Sequence, residues 1–205
     1  RHPAAVEGGL SMVAHLLGRK GAARIALKPP EVLDALNAGR LPTVNLNEFL
    51  ALDLPRLTRA VAQQIGLDPN AEALADTLAM LGAFKPMKRH LHVARALYEL
   101  TAPRADRDAV ATRLARHPSD VARCWVTHWV MFSPLPLPDK LAAVRCFAAD
   151  PHFGVREMAW MAVRDEVAGA LDEALALLAP WVRDADENIR RFASELTRPG
   201  GVWCA

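Results

Sequence analysis

Val155-Arg156-Glu157-Met158-Ala159-Trp160-Met161-Ala162-Val163 is the stretch on which the fold of this chain turns. The same pattern, an apolar residue, an arginine and a short amphipathic run, recurs at Ala122-Arg123-Cys124-Trp125-Val126-Thr127-His128-Trp129-Val130. It recurs again at Ile189-Arg190-Arg191-Phe192-Ala193-Ser194-Glu195-Leu196-Thr197, so Arg123, Arg156 and Arg190 stand 33 and 34 positions apart. A fixed period of that size identifies stacked helix pairs, each burying its apolar face against the next. An array of this kind sets its second helices side by side on one surface. Residues that break the repeat there are where function is to be sought. Glu157 is such a residue, because its register mates are Cys124 and Arg191.

Working outward, the pairs are expected at 105–116 with 119–131, 138–148 with 153–167, and 170–183 with 187–197. Ser133-Pro134-Leu135-Pro136-Leu137-Pro138 joins the first two, where the prolines exclude helix and set the return of the chain. An aspartate stands six residues before two of the arginines, Asp150 before Arg156 and Asp184 before Arg190, and His117 takes that place before Arg123. In the turn between paired helices the aspartate can accept backbone N–H groups at the start of the second helix. The arginine, one turn further on, can reach an aspartate of the adjacent repeat. Period, pairing and this Asp/Arg ladder together predict an all-α fold, an α-α superhelix of HEAT-like repeats with a concave basic face. Upstream, a short helix with a basic end is expected over 4–28, then helices over 31–38, 47–66, 70–82 and 87–101. Their breaks fall at Gly39, Gly66 with Pro69, Gly82 with Pro86, and Pro103. The domain reading is an N-terminal helical segment and loop over 1–46 and one continuous repeat array over 47–205.

Composition narrows the function classes. The 205 residues are enough for a sizeable core, and three cysteines without CxxC spacing fit reduced intracellular thiols better than disulfides or a zinc site. No apolar run reaches the length of a membrane span, and no signal-peptide layout opens the sequence. The chain begins at Arg1 rather than Met, so a start further upstream is expected. The net charge of +2 is near neutral, yet residues 85–123 hold nine Lys/Arg, Lys88 among them, against four Asp/Glu. Such asymmetry suits an electropositive face. Ordinary solvated helix faces with i,i+4 pairs account for it equally well.

Each candidate residue has a plain reading beside the functional one. Glu157, close to Arg156 and Arg191, fits an interhelical salt bridge as well as a site carboxylate. Trp125, Trp129 and Trp181 fall at core spacing. Trp160, whose register mates are Thr127 and Ser194, is open to either role, and Trp203 in the Gly-rich end is the tryptophan best placed to meet a ligand. His90 and His92 point to different sides of a helix, so no metal site is expected there, and no phosphate loop or nucleophile elbow is found. No cofactor is called for.

At the residues VREMAWMAVR (155–164) and DENIRRFASELTRPGGVW (186–203) the sequence resembles the HEAT-like alkylpurine DNA glycosylases of bacterial DNA alkylation repair. The AlkC branch is the nearer in pattern and AlkD the more distant. The likeness is most specific over 146–205 and extends at repeat level back to about residue 105. It implies Glu157 as the catalytic-site carboxylate and Trp203 as an aromatic against the damaged nucleotide. It also implies Arg190, Arg191 and Arg198 along the DNA channel; Arg123, Arg156, Trp160 and Lys88 are further candidate DNA contacts. The implied activity is excision of cationic N-alkylated purines, 3-methyladenine for instance, from duplex DNA. The implied protein acts as a monomer without metal, in the bacterial cytoplasm at the nucleoid. An alkylated base is already a good leaving group, so a carboxylate need only stabilise the developing sugar cation and orient a water. Arginines on the phosphates would give salt-dependent, sequence-independent affinity, and the lesion would be captured without full flipping. The sequence departs from the family at Val155-Arg156, where small hydroxyls are usual, and at Gly200-Gly201. It lacks the AlkD Trp-x-x-x-Asp pair, because Arg164 follows Trp160, and the branch's second carboxylate would fall in a repeat after Ala205. Two alternatives stay open: a HEAT-repeat nucleic-acid binder without excision, and a protein scaffold.

Overall fold

The computed structural model describes residues 13–21, 23–24, 29–80 and 85–198, and every regular element among them is helical. Most of the helix expected over 4–28, and Trp203 and Cys204, lie outside the described residues. The chain divides into two compact units, Arg1–Trp125 and Val126–Ala205.

In the first unit, α1 (Pro30–Asn37) opens with proline at its first turn and buries Val32, Ala35 and Leu36 against Val13 and Leu41. It closes on Gly39 at φ 69°, where Arg40 N–H reaches back to Ala35 O at 2.9 Å. The single helix expected over 47–66 is two helices, α2 (Leu46–Leu50) and α3 (Leu54–Gln64). The break has a local cause: Asp53 accepts the Arg56 N–H at 3.0 Å as an N-cap, and Pro55 occupies the first turn. Gly66 at φ 85° ends α3, and Leu67 N–H bonds Ala62 O at 2.8 Å. Both glycines therefore supply the left-handed residue of a Schellman closure. α4 (Asp68–Met80) packs on α3, and α5 (Pro86–Thr101) packs on α4. Then come α6 (Arg107–Ala115) and α7 (Asp120–Phe132), within which the division between the units falls.

In the second unit, α8 (Leu137–Ala148) starts at the end of the proline run and packs on α9 (Phe153–Met161). The helix expected to continue to residue 167 stops at Met161 and restarts as α10 (Arg164–Gly169), whose first turn carries Asp165 and Glu166 where the helix dipole favours acids. After α11 (Leu171–Leu178) and a 3₁₀ turn at Trp181–Arg183 comes α12 (Glu187–Thr197). Ile189, Phe192, Ala193 and Leu196 make one buried stripe on α12, and it packs against α8, α9, α10 and α11. The helices that carry the second and third copies of the sequence pattern, α9 and α12, thus lie against each other.

Candidate functional site

The three turns that carry the repeat share one hydrogen-bond pattern. At the position six residues before the arginine, a side chain accepts the N–H two residues on. His117 Nδ1 takes Ser119 N–H at 3.1 Å, Asp150 Oδ1 takes His152 N–H at 2.7 Å, and Asp184 Oδ1 takes Asp186 N–H at 2.9 Å. The arginine then folds back onto the turn. Arg123 Nη1 donates to the carbonyls of His117 and Pro118 at 2.7 and 3.2 Å. Arg156 Nη1 donates to Asp150 and Pro151 at 2.7 and 2.9 Å, and Arg190 Nη1 to Asp184 and Ala185 at 2.7 and 3.0 Å. A charged donor shared between two carbonyls outside any helix satisfies acceptors that the turn leaves over.

This corrects the expected ladder. Arg156 and Arg190 hold their own turns rather than an aspartate of the adjacent repeat. Asp184 is met instead by Arg145 of α8, Nη2 to Oδ2 at 2.5 Å, and that guanidinium, with the Asp186 N–H, holds its carboxyl below the usual carboxylate range. His117 stays neutral: burial, and secondarily the charge of Arg123, pushes its pKa down to about 4. Because Nδ1 accepts, the proton sits on Nε2, which meets Gln64 Oε1 at 2.7 Å.

Glu157 occupies the contact between α9 and α12. Its Oε1 accepts from Arg191 Nη2 at 2.6 Å and its Oε2 from the Trp160 indole N–H at 3.0 Å. The Trp160 bond follows from helix geometry, since i and i+3 face the same side. The carboxylate side chain is 23% exposed and that of Arg191 50%, so each oxygen keeps acceptor capacity toward solvent. Trp160 itself is buried, so its ring face is a packing surface rather than a stacking platform. Arg164 lies over that ring, Cζ to centroid 5.5 Å, and donates to the carbonyls of Glu195 and Arg198 at 3.1 and 2.8 Å. Arg198 in turn pairs with Glu195 at 3.0 Å. The recess bordered by Trp160, Asn188, Arg191 and Glu195 holds only about 10 Å³, room for roughly one water and far too little for a base.

The second unit therefore brings together Glu157, Trp160 and Arg191, with Arg198 on the neighbouring helix end. Arg156 and Arg190 are committed to their turns, as Arg123 is in the first unit. Lys88 is exposed on α5. Much of the basic stretch around it is engaged internally: Arg95 with Glu99, Arg104 with Asp106, Arg113 with Ile65 O, and Arg107 over the Tyr98 ring. Trp125 and Trp129 are buried and Trp181 is half-buried against Phe192. His90 is buried, stacked on Phe49 at 4.6 Å, and its Nδ1 accepts the Trp125 indole N–H at 3.3 Å. Among the described residues no group of three or more His, Cys, Asp or Glu could hold a metal ion, and no helix is long and apolar enough to cross a membrane.

Sequence reasoning passed over Arg164 and the pair Arg19–Glu48. Glu48 is buried, bonded to Arg19 Nε and Nη2 at 3.0 and 2.6 Å and to Val44 N–H at 2.9 Å. The Asn45-x-x-Glu48 spacing, a capping box in outline, was the available signal. Comparison of the chain with protein-family models, curated proteins and solved structures gives no match.

Proposed function

We propose that this chain is a HEAT-like α-solenoid of the DNA alkylation repair type, a glycosylase that excises cationic N-alkylated purines from duplex DNA. The observation that carries the reading is Glu157, a partly exposed carboxylate with both oxygens oriented, one by Arg191 and one by the Trp160 indole. The triplicated turn and the packing of α9 on α12 support the solenoid. Such a carboxylate suits electrostatic stabilisation of a sugar cation. It needs no proton of its own to give, because the alkylated base leaves with its charge neutralised. Arg191 and Arg198, both about half exposed, supply phosphate contacts.

A second reading, a nucleic-acid or protein-binding array without excision, is favoured by the turn bonds of Arg123, Arg156 and Arg190, which tie these residues to architecture. One experiment separates the two. The protein should release 3-methyladenine from methylated DNA, and Glu157→Gln should lower the single-turnover rate by on the order of a hundredfold or more with DNA affinity kept. Release unaffected by the substitution removes Glu157 from the chemistry. DNA binding without release by the wild type favours the second reading.

A further inference from the structure

We propose that Arg164 is the positioning residue of the Glu157 site, fixing the carboxylate through the Trp160 ring while it ties down the end of α12. This rests on the excision reading of Glu157. The last carbonyls of a helix have no partner within it and attract cations. Arg164, at the start of α10, supplies that cation from another helix and spends two N–H groups on it, toward Glu195 O and Arg198 O. The same guanidinium lies over the Trp160 ring, Cζ to centroid 5.5 Å, and the N–H of that indole donates to Glu157 Oε2 at 3.0 Å. Glu157 is thereby held between two arms that both lead to α12. One runs through Arg191, on the second turn of the helix, and the other through Trp160 and Arg164 to its last turn. A shift of Arg164 moves the indole, and with it the Glu157 oxygen that the indole N–H orients. A guanidinium's fixed fork can donate to two carbonyls while its charge stays over the ring, a geometry that the compact ammonium of lysine does not reproduce.

The test uses the full chain with Arg164→Lys, which keeps the charge, and Trp160→Phe, which keeps a ring beneath Arg164 but deletes the indole donor. The ¹H–¹⁵N resonance of the Trp160 indole, assigned by its loss in Trp160→Phe, reports the bond to Glu157 without any turnover. In Arg164→Lys that resonance should move toward its position in Glu157→Gln. Single-turnover excision should slow about tenfold or more in both variants, with the Kd for DNA within about twofold of wild type. An unmoved indole resonance in Arg164→Lys overturns the proposal. So does a moved resonance with excision unchanged, or an equal loss of DNA binding and excision, which marks a merely structural role. A wild type that excises nothing while the resonance still moves defeats the excision reading but leaves the hold of Arg164 on Glu157 standing.

Discussion

Both compact units fix a glutamate against an arginine, and they use it in opposite ways. In the first, Glu48 is 1% exposed, its partner Arg19 is 9% exposed, and three donors converge on its two oxygens. Arg19 also caps Leu16 O and Pro42 O, so the pair fastens the segment around residue 16 to the loop before α2. In the second, Glu157 has one protein donor per oxygen and remains partly in contact with water, facing a half-exposed arginine. A saturated, buried carboxylate can only hold structure, because nothing can reach it and every lone pair in use is costly to release. A carboxylate that is oriented but unsaturated can act on something from outside. An acid paired with an arginine is common to both folded units; what separates them is how many donors the fold delivers and whether solvent arrives.

The largest expected effect tests the first half of that contrast. Glu48→Ala leaves the largely buried Arg19 charge without its counter-charge and the Val44 N–H without its acceptor, so urea unfolding should show a loss of about 3–5 kcal/mol. A loss below about 1 kcal/mol would mean that solvent reaches the pair, and the distinction between the two glutamates would collapse.

Next in size is a pH effect that separates the turn before α7 from those before α9 and α12. All three need an acceptor for the N–H two residues on, but the first uses a neutral imidazole. The pKa of His117 is pushed down to about 4 from an ordinary value near 6.5. Above pH 6.5 it is neutral both folded and unfolded and contributes no slope. Between 6.5 and 4 the unfolded chain takes up a proton that the folded chain refuses, so stability falls as pH falls, by up to about 3 kcal/mol. His117→Asn keeps an acceptor for Ser119 N–H and does not titrate, so it should flatten the stability profile across that window. An unchanged slope would assign the acid sensitivity to other groups. Asp184, its carboxyl lowered first by Arg145, loses its contribution only at more acidic pH, as it becomes protonated.

These comparisons also mark how far the sequence could be read. The 33–34 spacing disclosed helix pairs and the acceptor role of Asp150 and Asp184, because both are local consequences of a repeated turn, whereas the same role for the His117 imidazole came only with the structure. The partner of the arginines was not legible. An arginine six residues past the turn reaches both its own carbonyls and a neighbour's carboxylate in principle, and only three-dimensional placement decides between them. Glu157 stood out because its register mates carry no acid, and its Trp160 bond is implied once the helix is known. The restart of the chain at Arg164 was missed for want of a proline or glycine at Ala162-Val163, and with it the reach of Arg164 to the end of α12. The split of 47–66 was legible in Asp53 and Pro55, an N-cap residue followed by a first-turn proline.

The smallest expected effect is the one that sharpens the comparison most. Glu157→Gln retains a carbonyl oxygen for the Trp160 N–H and gives up the charge that faces Arg191. With Arg191 half exposed, that ion pair is screened, and long side chains lose entropy to hold it. The substitution should therefore cost less than about 1 kcal/mol in urea unfolding, several-fold less than the loss of Glu48, and the difference should shrink further at high salt. Removing Glu157 has to be nearly free for stability if the residue is retained for what it does to a ligand, whereas a cost close to that of Glu48 would make it a second structural fastening and weaken the case for excision at this site.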